Sequence, residues 1–277
     1  MRVACVGGSS PLTIPGTGDE IAATDRVVLP VAHISSQRLE PYFAHAFGDE
    51  SKSLELYTWG RELSAALFRD ISILEVALRN SIDRTLVERF GGDWHLLAAA
   101  LFDERTYRQL AEAWERLPSK FRNSTGERIR GRLIAGCMFG VWVSALDAGG
   151  KTGLAGPCSV ADHDRIWTRD ALLSAFPGAG RVAGMERRQL DRAWAHSRVR
   201  EVHILRNRIA HHESLINGYP IPGSGSPDAG PERRSVRDGI AACGLLAAML
   251  DRDLQRFLAA TSRVEQVLAA DPRIGWG

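Results

Sequence analysis

A chain of 277 residues with 44% apolar and 25% charged side chains is able to bury a full core, which excludes a disordered polypeptide and a disulfide-stapled miniprotein. Its net charge of +2 does not by itself point to nucleic acid. Cys5, Cys137, Cys158 and Cys243 are scattered and form no C-x-x-C pair, so neither a zinc site nor a disulfide frame is expected, and a reducing cytoplasm is the natural home.

Residues 1–35 are rich in Gly, Ser, Thr and Pro as far as Pro30 and carry no cationic start followed by a long apolar core. They read as a flexible leader or an over-extended start of the reading frame, not as a signal peptide. No uninterrupted apolar run reaches the roughly 18 residues of a membrane span, so no membrane is expected as a partner.

From residue 36 to 277 the pattern is that of a single all-α domain. Ser51 is placed to cap a helix through Leu54, Tyr57, Leu63, Leu67 and Phe68, and a second periodic stretch from Ile71 to Leu86 stops at Gly91-Gly92. A short helix is predicted from Glu104 to Arg116 and another from Ser124 to Ala135. The very apolar Phe139–Leu146 belongs in the core, glycine-rich Asp147–Asp162 reads as a loop, and Ile166–Phe176 is helical up to Pro177-Gly178. A long helix is expected from Met185 to Ile216, closed by Asn217-Gly218-Tyr219-Pro220. A mobile Gly/Pro/Ser connection over about 217–233 and a last helix from Arg234 to Leu268 complete the chain. No β-alternating segment, internal repeat or sustained heptad interrupts this pattern, which predicts a helical bundle.

The basic residues are lopsided. Lys52, Lys120 and Lys151 are the only lysines, leaving 32 of 35 basic residues as arginine. Arginine-biased codon usage accounts for such an excess, and so does phosphate recognition by a planar, permanently charged fork. Local clustering discriminates better. Between Arg181 and Glu213 eight arginines face Glu186, Asp191, Glu201 and Glu213, a surplus of four positive charges.

Within that stretch, Arg206-Asn207-Arg208-Ile209-Ala210-His211-His212-Glu213 puts a fixed cation, an amide and a proton carrier on little more than one helical turn. Those are the groups that handling a phosphodiester requires. On a wheel of roughly 100° per residue, Val202, Leu205, Ile209 and Ile216 form one stripe, with His212 and Arg198 at its edges. Asn207 and His211, four apart, point to nearly the opposite side, and Arg206 lies between the faces. The amide and His211 are thereby free for a second surface. If that surface is a two-fold partner, two arginines and two histidines converge and supply both a general base and a general acid. The plainer reading is a solvated polar face, with His212 half-buried in the helix and Glu213 pairing with nearby arginines.

Arg206-Asn207-x-x-x-His211 resembles the R-N-x-x-x-H signature of the HEPN superfamily, and Leu205–Glu213 resembles that of its abortive-infection (Abi-like) branch. Leu54–Ser64 and Leu74–Ile82 look like that family's first two long helices, and Phe139–Leu146 like its apolar middle segment, so the resemblance covers roughly 36–258. It implies an all-α HEPN-type bundle that dimerises along the motif helix. It further implies metal-independent RNA cleavage, with no cofactor, in which the 2′-OH attacks the adjacent phosphate and leaves a cyclic phosphate end. By position, Arg206 would stabilise the transition-state charge, His211 would move the proton, and Asn207 would orient His211 or a phosphate oxygen. Arg208 and His212 would support RNA binding. Glu75, Arg79 and Asn80, at i, i+4 and i+5 of a helix expected to pack nearby, would position RNA or lock the motif. Their plainer reading is an intrahelical ion pair and a buried cap.

The expectation is therefore a cytoplasmic, homodimeric endoribonuclease of abortive-infection or toxin type, acting on RNA in phage defence, with an antitoxin or regulatory partner as a further possibility. Its rival is an inactive helical RNA- or protein-binding module. A metal-dependent hydrolase built on His211, His212 and Glu213 is disfavoured, because three consecutive residues splay around a helix whereas zinc helices space histidines four apart.

Overall fold

In a computed structural model, residues 33–122, 126–226 and 230–276 are described. The leader expected over 1–35, apart from its last three residues, lies outside them. The chain is mostly helical, as its periodicity predicts. It runs through α1 (Ser36–His45), α2 (Glu50–Phe90), α3 (Ala98–Leu101), α4 (Glu104–Glu115), α5 (Ser119–Arg122), α6 (Glu127–Gly136) and α7 (Phe139–Leu146). After a ribbon of β1 (Gly149–Lys151) and β2 (Val160–Asp162) come α8 (Arg169–Ala175), α9 (Ala179–Met185) and α10 (Arg192–Ala210). A second ribbon, β3 (Tyr219–Pro220) and β4 (Arg233–Arg234), precedes α11 (Val236–Leu250), α12 (Arg252–Thr261) and α13 (Val264–Ala269).

The two helices expected between Ser51 and Leu86 are one helix of 41 residues, about 60 Å long at 1.5 Å per residue. Asp49, not Ser51, caps it by accepting from the Lys52 N–H. No glycine or proline separates Phe68 from Ile71, and Leu56, Leu63, Leu67, Ile71, Leu74, Leu78, Ile82 and Leu86 make a continuous buried stripe. Gly91 ends the helix at φ +87°, a conformation glycine adopts without strain. Helix α2 is the spine of the molecule, packed by α1, α7, α8, α10, α11 and α13. The buried apolar side chains from Tyr42 to Val267 form one connected cluster.

Three other expectations are corrected. The Asp147–Asp162 loop contains the antiparallel β1–β2 ribbon, and two short strands, β3 and β4, pair where none was expected, with Tyr219 opposite Arg234. The last helix breaks at Asp251, an extended residue whose carboxylate caps α12, and again after Thr261. Ser124 lies outside the described residues, and α6 starts at Glu127. Among the described residues no single helix is long and apolar enough to cross a membrane.

Candidate active site at the end of helix α10

Helix α10 starts where Asp191 accepts the Trp194 N–H. Val199, Val202, Leu205 and Ile209 bury its inner stripe against α7, α11 and α2, each worth about 1.5–3 kcal/mol relative to exposure. The wheel reading holds for Val202, Leu205 and Ile209, but Ile216 is off the helix in a turn and only half-buried, because the helix is shorter than the expected Met185–Ile216. Arg187 sits in the left-handed region at φ +54° and separates α9 from α10.

At the other end the motif straddles the helix terminus. His211 is the C-cap, and its N–H reaches the Asn207 and Ile209 carbonyls. His212 follows at φ +56°, its N–H bonded to the Ile209 carbonyl and the Glu213 N–H to the Arg208 carbonyl. This paired arrangement is a Schellman turn, with histidine where glycine would be strain-free. A left-handed non-glycine residue costs on the order of 1 kcal/mol or more. His212 is thus exposed beyond the helix, not half-buried within it.

Two distant arginines hold the turn. Arg38 of α1 donates to the His212 carbonyl at 2.7 Å, and Arg61 of α2 donates to the Glu213 carbonyl at 3.1 Å. Arg208 binds both oxygens of Glu213 at 2.9 and 3.0 Å, so it locks the turn and has that carboxylate as its partner. His211 is exposed, and its imidazole has no hydrogen bond among the described residues.

Arg206 and Glu75 come together from α10 and α2. The Arg206 Nε lies 3.7 Å from Glu75 Oε2, with the two side chains 19% and 18% exposed. That distance is too long for a hydrogen bond, and the Nε–H is sealed from solvent without an acceptor. Glu75 attracts the guanidinium without satisfying it. Arg79 does not pair with Glu75: it donates to the Ala135 carbonyl at 3.3 Å, a cation at the carbonyl end of α6. Asn80 is exposed and is no buried cap. Of the three α2 residues singled out by spacing, only Glu75 reaches the motif.

Asn207 is engaged differently from expectation. Its Nδ2 lies 3.1 Å from His203 Nε2, so its amide orients His203, while its link to His211 runs through the backbone. His203 stacks on Phe139, centroids 5.4 Å apart and planes at 22°. Burial, and then the Arg206 and Arg200 cations, push its pKa down to about 4. The ring is therefore neutral at pH 7, and its Nε2 accepts from the amide. His203, Asn207 and His211 follow one another four apart along one side of α10. Sequence reasoning missed His203, although its i−4 spacing from Asn207 was a legible signal. Nothing local pointed to Arg38 or Arg61.

The chain matches no protein-family model, no curated protein and no solved structure. Among the described residues no three His, Cys, Asp or Glu side chains converge as metal ligands do. The end of α10 thus offers a laterally held cation, an oriented amide and an exposed imidazole in succession, which is equipment for binding an anion and moving a proton.

Proposed function

We propose that the protein is a metal-independent endoribonuclease of the abortive-infection type, a HEPN-like bundle whose composite site forms where two copies meet along α10. The observation that carries this reading is the Arg206 guanidinium, 3.7 Å from Glu75 on the neighbouring helix, followed five residues on by an exposed His211 whose ring has no hydrogen bond among the described residues. The terminal Nη groups of the Arg206 side chain have no hydrogen bond among the described residues and are the ones left to meet a phosphodiester oxygen, and a guanidinium–phosphate contact is strong and directional. The exposed His211 then takes the proton from the ribose 2′-OH. The new O2′–P bond forms as the P–O5′ bond breaks, and the second copy's imidazole returns a proton to the departing 5′ oxygen. A cyclic phosphate and a free 5′-OH result.

Two exposed apolar side chains, each adjacent in sequence to a residue that contacts α10, are candidates for covering by a second copy. Met138, next to the Phe139 that stacks on His203, is 55% exposed, and Val76, next to Glu75, is 43% exposed. Incubating the protein with mixed RNAs in EDTA tests the reading. Wild type should leave cyclic phosphate ends, and Arg206→Ala and His211→Ala should not. Sedimentation should show a dimer, and expression should arrest growth unless either residue is replaced. Unchanged cleavage by both variants, or full activity from a strict monomer, sinks it.

The ion pairs Arg206–Glu75 and Arg208–Glu213 favour one other reading, an inactive helical module that binds RNA or a protein. Salt-sensitive binding without turnover would select it.

A further inference from the structure

The turn that closes α10 forms one wall of a cleft of about 460 Å³ whose other walls are α1 and α2, a size within the roughly 300–1,000 Å³ of small-ligand sites. Gln37, Arg38, Tyr42, Tyr57, His211 and His212 line it. We propose that this cleft is a nucleobase subsite, holding the base of the nucleotide adjacent to the linkage on which His211 acts. The proposal deepens the ribonuclease reading and rests on it for the role of His211.

Position comes first. His211 is part of the cleft wall, so a group seated there is adjacent to that residue, and an RNA strand presented to His211 has a base within reach of the cleft. The second argument is the aromatic surface. Tyr57 is half-buried and stiffly held, with the Arg61 guanidinium 5.6 Å from its ring centroid and the Tyr42 ring 5.4 Å away at 78°. A ring already fixed loses little freedom when a base stacks on it, and every base offers a π-face.

The polar groups fit a base edge as well. Gln37 is exposed, and its amide both donates and accepts. Arg38 uses one nitrogen to bind the His212 carbonyl, and its other N–H groups have no partner among the described residues. Charge is permissive: the one acid on the walls, Glu213, is already bound through both oxygens by Arg208, so the approaching backbone meets no unpaired carboxylate.

The test uses the full chain and mixed-sequence 2′-O-methyl RNA decamers, which lack the nucleophile, each carrying one 4-thiouridine. After irradiation, cross-links should map to peptides containing Gln37, Tyr42 or Tyr57. Tyr57→Leu should weaken binding about 10-fold, in the range of one lost base–aromatic stack. An oligomer of abasic units should bind wild type and Tyr57→Leu alike, which a mere folding defect would not produce. Gln37→Ala, at an exposed position, should lower the cross-link yield. Cross-links confined to other surfaces, with Tyr57→Leu binding as wild type does, overturn the subsite. Cleavage of natural RNA is scored in parallel. Cleavage with cross-links elsewhere removes the subsite alone. Cleft cross-links without cleavage keep the subsite and remove the enzyme. Absence of RNA binding removes both.

Discussion

Two histidines in different corners of this molecule show what an imidazole is free to do. His163, after β2, is wholly buried. Its Nδ1 lies 2.8 Å from the Asp147 carbonyl, its Nε2 accepts the Asp103 N–H at 3.3 Å, and Phe102 meets it edge-on. Burial pushes its pKa down, and both ring nitrogens are occupied. His211, at the end of α10, is exposed and has neither nitrogen engaged among the described residues. The first ring holds α4, α7 and the β1–β2 ribbon together. The second ring holds no elements together among the described residues. Satisfaction, more than residue type, separates a histidine locked into the fold from one whose ring nitrogens are unengaged.

Exchanging the two roles should fail in opposite ways. We predict that His211→Ala lowers RNA cleavage by about 10²- to 10⁴-fold while leaving the melting temperature almost unchanged. His163→Ala should cost about 3 kcal/mol of stability, because it opens a cavity and strands two buried backbone groups. Denaturant titrations beside cleavage rates decide. If His163→Ala is as stable as wild type, its corner is not the anchor described here.

Acid should sharpen the contrast next. His203 is held at about 4, below its ordinary 6.5, and His163, His196 and His95 are displaced in the same direction, each chiefly by burial. The unfolded chain takes up these protons first, so the stabilisation is complete above pH 6.5 and is lost as pH falls toward 4. Unfolding free energies measured between pH 7 and 4 should decline, His203 contributing on the order of 1–3 kcal/mol after solvent screening. His203→Gln should flatten part of that slope. An unaltered slope in His203→Gln would refute the burial of that ring.

Smaller effects separate positioning from strain. Glu75→Gln removes the charge that steadies Arg206. Cleavage should fall about 10-fold and stability by about 1 kcal/mol, as for other partly exposed ion pairs, and a variant faster than wild type would recast Glu75 as a brake. His212→Gly relieves the left-handed backbone and should stabilise the fold by up to about 1 kcal/mol. If cleavage survives that change, the His212 side chain is a spectator and only its carbonyl, bound by Arg38, matters.

The sequence by itself determined the all-α character, the inner stripe of Val202, Leu205 and Ile209, and the run of Arg206, Asn207 and His211 along one stretch of chain. Helical periodicity is local, and hydrophobic spacing records which face is buried. It could not determine that α2 is unbroken from Glu50 to Phe90, or that the motif helix stops at Ala210. Both depend on competition between helix propagation and contacts made elsewhere, such as Arg38 and Arg61 gripping the turn after His211 from positions more than 150 residues away. Nor does spacing tell which of Glu75, Arg79 and Asn80 meets Arg206. That depends on how α2, α6 and α10 are rotated against one another, and rotation is settled only when all the side chains pack at once.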